Sequence, residues 1–455
     1  SMCGITGVYA PGLDAARPAF FALYALQHRG QESAGIAAAD GGTIRSHKDM
    51  GLLGAIFDED ILSRLSGSIA VGHTRYSTTG SSIVVNAQPL LEKTDIGDFA
   101  FAHNGNLTNT DELRATLSPS LTLQATSDSE VMAKLLVEAE GTMLERIASV
   151  LRRARGAYSI VLCTENELYA FRDPWGVRPL CLGTYGDGGY AVASESCALQ
   201  TIGATFVREI EAGEIVRIGK HGIETVKVTI PASQALCMFE YIYFARPDSQ
   251  LNNQSIYMAR YRMGEQLARE HPVEADVVIA VPDSAMPGGM GFAKESGLPF
   301  VEGLIKNRYI GRTFISPDQT MRSRGVQLKF NPVVENLRDR RVIVVDDSIV
   351  RGTTTPRIVQ LLRDAGAREV HVRITSPPIK HPCYLGVDMA TYDELVAANY
   401  TIDEIRKKIG ADSLGYLSLD GLVASTERKR DEMCLGCLTG IYPNVPATHR
   451  PRAAV

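Results

Sequence analysis

Two different layouts in one chain are what the sequence predicts: an α+β first half of antiparallel sheets layered with helices, joined to an α/β second half on a mainly parallel sheet. Two observations carry this. Up to about residue 230, short β-type runs with Gly-rich turns alternate with helical patterns. Beyond it, wholly apolar strand runs are separated by helices, as expected of strands buried on both faces. Ile230-Pro231-Ala232-Ser233 reads as the boundary, giving domains over 3–230 and 231–455.

In chain order, strands are expected at 69–73, 99–103, 158–162 and 190–194, with helices over 129–140 and 143–153. In the second half, the run 277–281 ends at Pro282-Asp283-Ser284, and 341–345 ends at Asp346-Asp347. A helix stopping near Gly366 precedes the run 369–374. Ligands of parallel sheets bind beyond the carboxyl ends of the strands, where Ser284, Asp346 and Asp347 fall.

Bulk properties narrow the function classes. The 455 residues suggest two or three domains, and 45% hydrophobic with 22% charged residues is ordinary globular composition. A net charge of -5 argues against a nucleic-acid binder. No apolar stretch reaches the roughly 18 residues of a membrane helix, and the start lacks a basic-then-apolar leader. A cytoplasmic location is therefore expected. The eight cysteines are then a mixture of buried, catalytic and metal-ligating thiols rather than a disulfide framework. Cys163, Cys181 and Cys197, with apolar neighbours, are assigned to packing.

The most specific motif is the strand 342–345 followed by Asp346-Asp347-Ser348-Ile349-Val350-Arg351-Gly352-Thr353-Thr354-Thr355. Two carboxylates end the strand, and a polar loop opens a helix over 356–365 with Pro356 in its first turn. The backbone N–H groups of 348–354, with the threonine hydroxyls, suit a phosphate at a helix N-terminus. The aspartates can accept from vicinal ribose hydroxyls or support hydrated Mg²⁺. A capped helix with two surface aspartates is the plainer reading, but the motif exceeds what capping needs. The stretch resembles the phosphoribosyl pyrophosphate signature of type I phosphoribosyltransferases. That resemblance makes 281–285 a pyrophosphate loop with Ser284 near the metal, and 305–314 a mobile catalytic loop. Lys306, Arg308 and Arg312 would close over the pyrophosphate, a role for which a solvated basic turn is the alternative.

Cys3 follows Met2 directly. Removal of the methionine would leave a nucleophilic thiol and a free α-amine on one residue. The amine's unperturbed pKa of roughly 7.7–8 lets it take the thiol's proton. The junction predicts no propeptide beyond the methionine. With Ser1-Met2 retained, Cys3 has an amide nitrogen and lacks that base, so such a chain is expected to be impaired with glutamine while its transferase half survives. An ordinary buried cysteine near a strand start is the alternative. Gln27-His28-Arg29-Gly30-Gln31, Gly72-His73-Thr74-Arg75-Tyr76, His103-Asn104-Gly105-Asn106 and Thr126-Ser127-Asp128-Ser129-Glu130, together with Cys3, resemble glutamine amidotransferases with an N-terminal cysteine nucleophile, an αββα sandwich. The resemblance implies that Cys3 attacks the glutamine amide and that the Asn104 side chain and Gly105 N–H form the oxyanion hole. It also implies that Arg75 pairs with the substrate carboxylate and Asp128 with its ammonium. Taken singly, Arg75 could be a structural ion pair and Asn-Gly a tight turn. His73 and His103 are read as structural.

Cys434-Leu435-Gly436-Cys437 near the chain end, with Cys237 and Cys383 upstream, suggests a four-thiolate site. Zinc is the commoner occupant of such a site, and a redox pair is the alternative. One chain carrying both halves resembles the amidophosphoribosyltransferase family over nearly its full length. Its cluster-bearing branch holds a [4Fe–4S] cluster on four cysteines that match Cys237, Cys383, Cys434 and Cys437. The resemblance further implies glutamine and phosphoribosyl pyrophosphate as substrates, Mg²⁺, feedback by purine nucleotides and a homotetramer. Competing readings are a non-catalytic phosphoribosyl-pyrophosphate-binding regulator and a glutaminase serving another phosphoribosyl acceptor.

Overall fold

The computed structural model describes residues 2–76, 83–125, 127–228, 234–308, 318–323, 329–389, 391–443 and 445. Its first half has four layers. A seven-stranded sheet runs in the order Thr205–Glu209, Cys181–Tyr185, Gly189–Ala193, Gly4–Tyr9, Ile69–Arg75, Ser33–Ala39, Ile44–Met50. A six-stranded sheet runs Gly222–Lys227, Glu214–Gly219, Leu168–Arg172, Gly156–Thr164, Gly97–Leu107, Leu90–Thr94. The pairings are antiparallel throughout.

Period-two patterning stacks these sheets. Ile5, Ile69 and Val71 point between them and meet Ala100, Ala102, Val161 and Leu168. Val8, Ile36 and Ala70 turn the other way, onto helix Ala16–Ala25. Phe99, Phe101, Ile160 and Leu162 lie under helices Asp128–Glu138 and Met143–Arg153. Each such fully buried aliphatic or aromatic side chain contributes about 1.5–3 kcal/mol. At Gly7 a Cβ would stand 2.6 Å from Val161 Cγ1, so the sheets meet too closely there for any side chain. The first of these helices ends before the expected residue 140, because Ala139 is extended and Gly141 turns the chain at φ 92°. The next starts on a Thr142–Glu145 capping box.

The second half centres on four parallel strands, Val277–Ala280, Arg341–Asp346, Glu369–Ile374 and Ser413–Tyr416. Val278, Ile343 and Val345 face helices Ile256–Glu270 and Met286–Ser296. Val277, Ile279, Val342 and Val344 face helices Thr355–Asp364 and Ile402–Ile409. Burial on both sides is why these strands show no polar alternation. A Cβ at Gly264 would stand 1.9 Å from the Gly288 carbonyl oxygen, so the first two helices touch backbone to backbone. A short pair, Leu304–Lys306 with Phe330–Pro332, brings Lys306 beside the carboxyl end of the sheet. Leu236–Cys237 pairs in parallel with Met433–Cys434 and draws helix Gly436–Thr439 back to the start of this half. The expected boundary at 230–233 lies outside the described residues. No helix among the described residues is long and apolar enough to cross a membrane.

Candidate functional site

Cys3 sits just before the central strand Gly4–Tyr9 and is buried, its Sγ 3.5 Å from the Tyr76 carbonyl oxygen. Burial pushes the thiol up. A backbone hydrogen bond at Tyr76 and the charges of Arg75 and Arg29 oppose that, while Asp128 adds to it. The charges of Arg75, Arg29 and Asp128 thus all act on the Cys3 sulfur. Arg75 ends the strand next to Cys3's own, with Gly4 opposite Thr74. Gly30 fits against it because a Cβ there would stand 2.6 Å from the Arg75 carbonyl carbon. Asp128 opens its helix, where the first-turn dipole favours a carboxylate, and accepts from the Leu107 N–H at 2.8 Å.

Asn104 and Gly105 lie inside strand Gly97–Leu107, opposite Ser159 and Tyr158, so the tight-turn reading is replaced. Gly105 has φ 146°, and a Cβ there would stand 2.0 Å from the Ala157 carbonyl oxygen. Only glycine fits. The Asn104 Nδ2 and Oδ1 are both buried with no hydrogen-bond partner among the described residues. An orphaned buried amide carries a desolvation penalty of about 1–3 kcal/mol, which a bound ligand can relieve. His73 Nε2 lies 3.0 Å from the His103 carbonyl oxygen, and His103 Nδ1 lies 2.9 Å from Ser129 Oγ. Burial holds His73 down to about 3, so it is neutral and structural. The chain just beyond Tyr76, residues 77–82, and Thr126 lie outside the described residues.

At the other end, Asp346 closes its strand and Asp347 follows, its N–H donating to Asp346 Oδ1 at 2.8 Å. Ser284 Oγ donates to Asp347 Oδ2 at 2.5 Å, and Ser348 Oγ reaches Asp347 Oδ1 at 3.3 Å. Both carboxyls are pushed up by burial. Asp346 is raised further by its neighbour's charge, whereas Ser284 and Arg260 oppose the rise at Asp347. Two crowded carboxylates of this kind are relieved by a divalent cation or by hydroxyl donors. The turn of Ser348, Ile349, Val350, Arg351, Gly352, Thr353 and Thr354 leads into helix Thr355–Asp364, with Gly352 at φ 73°. None of its amides donates to a backbone carbonyl among the described residues.

Lys306 Nζ stands 3.4 Å from Asp283 Oδ2, with 39% of its side chain exposed, and Arg308 is exposed next to it. Arg312 lies outside the described residues. A cavity of about 330 Å³ joins these groups to the first half, lined by Asp283, Ser284, Lys306 and Lys329 and also by His28, Tyr243 and Arg260. The sequence reading had no role for Tyr243, Arg260 or Lys329. Arg260 is buried and is fixed by donation to the Tyr241 and Ala245 carbonyl oxygens at 2.7 Å. A buried arginine on an otherwise amphipathic helix was the available signal.

Backbone contacts draw together the segments that carry Cys237, Cys383, Cys434 and Cys437. Cys237 and Cys434 sit in register on paired parallel strands, and Cys437 follows on the next turn. The N–H groups of Lys380 and His381 donate to the Cys437 carbonyl oxygen at 3.1 Å, which carries in the segment bearing Cys383. Burial and then the neighbouring thiols push Cys434 and Cys437 up. The Leu385 N–H donates to Cys383 Sγ at 3.3 Å. Among the described residues no group of three or more His, Cys, Asp or Glu is arranged as a site for a metal ion. The fit of a cluster rests on the donor set itself: four thiols, two buried and two half-buried, within electrostatic reach, with a backbone N–H already aimed at one sulfur.

Comparison with known proteins agrees with both ends of the chain. Residues 73–201 match a glutamine amidotransferase domain family and residues 248–400 a phosphoribosyl transferase domain family. The amidophosphoribosyltransferase of Synechococcus elongatus is 50% identical over 97% of this chain and 91% of its own. That of Methanocaldococcus jannaschii is 49% identical, covering 97% and 98%. The glutamine phosphoribosylpyrophosphate amidotransferase of B. subtilis, solved with ADP and GMP, superposes with a TM-score of 0.93 at 44% identity, covering 98% of both chains. Identity at this level over nearly the whole length, on the same two-part fold, means that the chain belongs to the amidophosphoribosyltransferase family.

Proposed function

We propose that this chain converts glutamine, phosphoribosyl pyrophosphate and water into 5-phosphoribosylamine, glutamate and pyrophosphate, the committing step of purine synthesis. One observation carries the reading. A buried thiol under the charges of Arg75 and Asp128, with an unpartnered Asn104 amide in the same half, shares a chain with a two-carboxylate strand end. The cavity at that strand end also borders the first half. Residues 3–230 would form the glutaminase domain and 231–455 the transferase domain.

Cys3, with its α-amine free to accept the thiol proton, attacks the amide carbon of glutamine. Asn104 Nδ2 and the Gly105 N–H receive the oxyanion, while Arg75 and Asp128 hold the substrate's carboxylate and ammonium. Collapse expels ammonia and leaves a thioester, which water hydrolyses to glutamate. In the second half, ammonia bonds to ribose C1 as the C1–O bond to pyrophosphate breaks, with the electron pair leaving on oxygen. Lys306, Arg308 and Arg312 meet that developing charge. The amides and hydroxyls of 348–354 cradle the 5-phosphate, and Asp346 and Asp347 take the ribose hydroxyls. Mg²⁺ held through water near Ser284, Asp346 and Asp347 would offset the charge of the pyrophosphate.

Cys237, Cys383, Cys434 and Cys437 would hold a [4Fe–4S] cluster with a structural or oxygen-sensing role, since the reaction transfers no electrons. Iron and sulfide analysis of anaerobically purified protein checks this, and colourless protein with stoichiometric zinc would exclude it. The B. subtilis relative was solved with ADP and GMP, and another relative with a TM-score of 0.93 is described as the allosteric regulatory enzyme of purine biosynthesis. We extend purine-nucleotide feedback, a homotetramer and a cytoplasmic location to this chain. The deciding experiment compares glutamine- with ammonia-dependent synthesis on protein whose N-terminus is defined by mass spectrometry. Glutamate release that depends on phosphoribosyl pyrophosphate is expected. Binding of phosphoribosyl pyrophosphate without turnover from either nitrogen source would favour the regulator reading.

A further inference from the structure

Between Cys3 and the four cysteines runs a chain of buried charges that the reaction does not call for. Arg29 donates from Nε to the Cys3 carbonyl oxygen at 3.0 Å. Its other nitrogens grip Glu240 at 2.9 and 2.6 Å and Glu195 at 2.7 Å. Glu240, whose side chain is 0% exposed, also lies 3.5 Å from Arg178 Nη1. Arg178 is equally sealed. Its Nε and Nη2 meet no hydrogen-bond partner among the described residues. The carbonyl oxygen of the preceding residue, Val177, accepts from the Cys237 N–H at 3.1 Å, which sets Arg178 beside the cysteine corner. Met2 Sδ packs against Nη1. Glu240 is gripped by Arg29 at 2.6 Å and reached by Arg178 only at 3.5 Å, so Arg178 is the more loosely paired of the two buried cations. A metal–thiolate centre on the adjoining cysteines would supply the negative charge that completes its pairing.

The same cysteine corner reaches the oxyanion strand by a second route. Asn106 Nδ2 donates to the Tyr384 carbonyl oxygen at 2.9 Å, one residue past Cys383. At Gly386, φ 112°, a Cβ would stand 3.0 Å from the Gly105 Cα and carbonyl carbon. The turn that carries one thiol therefore lies directly on the backbone of the residue proposed to donate to the oxyanion.

We propose that Arg178 and Asn106 are positioning residues for the glutamine site. Arg178 ties Cys3 to the four-cysteine centre through Glu240 and Arg29, and Asn106 ties Gly105 to it through Tyr384. The nucleophile and its oxyanion donor are thus both held against one thiolate centre. This rests on reading the four cysteines as a metal–thiolate site and the Cys3 pocket as the glutaminase.

The test uses the full chain, with iron, sulfide and zinc measured first. Absence of bound metal would remove the centre itself. With metal present, Arg178→Met and Asn106→Ala are compared with the unaltered protein in three assays. These are glutamine-dependent against ammonia-dependent synthesis, the rate at which a glutamine-like diazoketone alkylates Cys3, and the visible spectrum and reduction potential of the centre. A misplacement of the order of 1 Å lowers a rate about 10²-fold. Arg178→Met is therefore expected to lower glutamine-dependent turnover and Cys3 alkylation by about that factor, with ammonia-dependent synthesis retained. It should also move the potential of the centre downward, because a cation beside the thiolates is gone. Arg178→Lys should recover part of both effects. Asn106→Ala is expected to change the glutamine reaction alone. An unchanged ratio of glutamine to ammonia synthesis in both variants, with the metal in place, would overturn the inference. If Arg178→Met does not fold, chelation of the unaltered protein decides: amide exchange at 104–107 should quicken on metal loss, and unchanged exchange overturns the inference.

Discussion

Around Cys3 the polar groups are already sealed from water, whereas around Asp346 and Asp347 the cations proposed to meet substrate are partly open to solvent. Arg75, Asn104 and Asp128 are all buried. Lys306 keeps 39% and Arg351 49% of its side chain exposed. The two chemistries explain the difference. A tetrahedral oxyanion forms within one bond length of the nucleophile, so its donors must be fixed before the substrate arrives. A pyrophosphate spreads its charge over many oxygens, and long cationic side chains can gather round it once it is bound. One site is prebuilt and the other is assembled on its ligand.

Substitutions can break that contrast. Cys3→Ala is expected to lower glutamine-dependent synthesis by about 10³-fold or more while sparing ammonia-dependent synthesis; parallel loss of both would mean that the halves are not separable. Asn104→Ala should lower kcat with glutamine by about 10²–10³-fold, with KM little changed if the amide acts on the oxyanion alone. Lys306→Ala should depress synthesis from both nitrogen sources, by about 10²-fold if it contributes like a single oxyanion donor. Unchanged ammonia-dependent synthesis would remove this lysine from the transferase step. The smallest effect concerns stability. His73 is held at about 3, below the ordinary histidine value of 6.5. Unfolding therefore takes up a proton at intermediate pH. The stability this neutral imidazole contributes is present in full above about pH 6.5 and is lost as pH falls toward 3. Urea midpoints between pH 7 and 4 should fall less steeply for His73→Gln than for the unaltered chain.

The parts legible in the sequence are those where one local stretch states the chemistry. Asp346-Asp347 and the following Gly352 and threonines are contiguous, and the strand before them is apolar on both faces, so fold and site could be read together. The same holds for helix Met143–Arg153, whose bounds are as expected because Thr142 and Glu145 cap it. Asn104-Gly105 was less transparent. Asn-Gly is the usual signature of a two-residue turn, and only the register with Ser159 and Tyr158 puts it in mid-strand. The Arg29–Glu240 pair was beyond reach, since its partners stand 211 residues apart and Arg29 lies in a motif that had another use. One hint was present: Glu240 interrupts the apolar run Met238-Phe239-Glu240-Tyr241-Ile242, and a lone charge in such a run asks for a buried counter-ion.

The bond from Asn106 to Tyr384 spans 278 residues. During synthesis the first half leaves the ribosome long before Tyr384 exists, with Arg29 still lacking Glu240 and Gly105 still lacking the turn that lies on it. A chain broken off midway could fold its sandwich and still hold its nucleophile and oxyanion strand without their far supports. Release of ammonia would then wait on completion of the chain, and glutamine would be spared until a receiving site had been made.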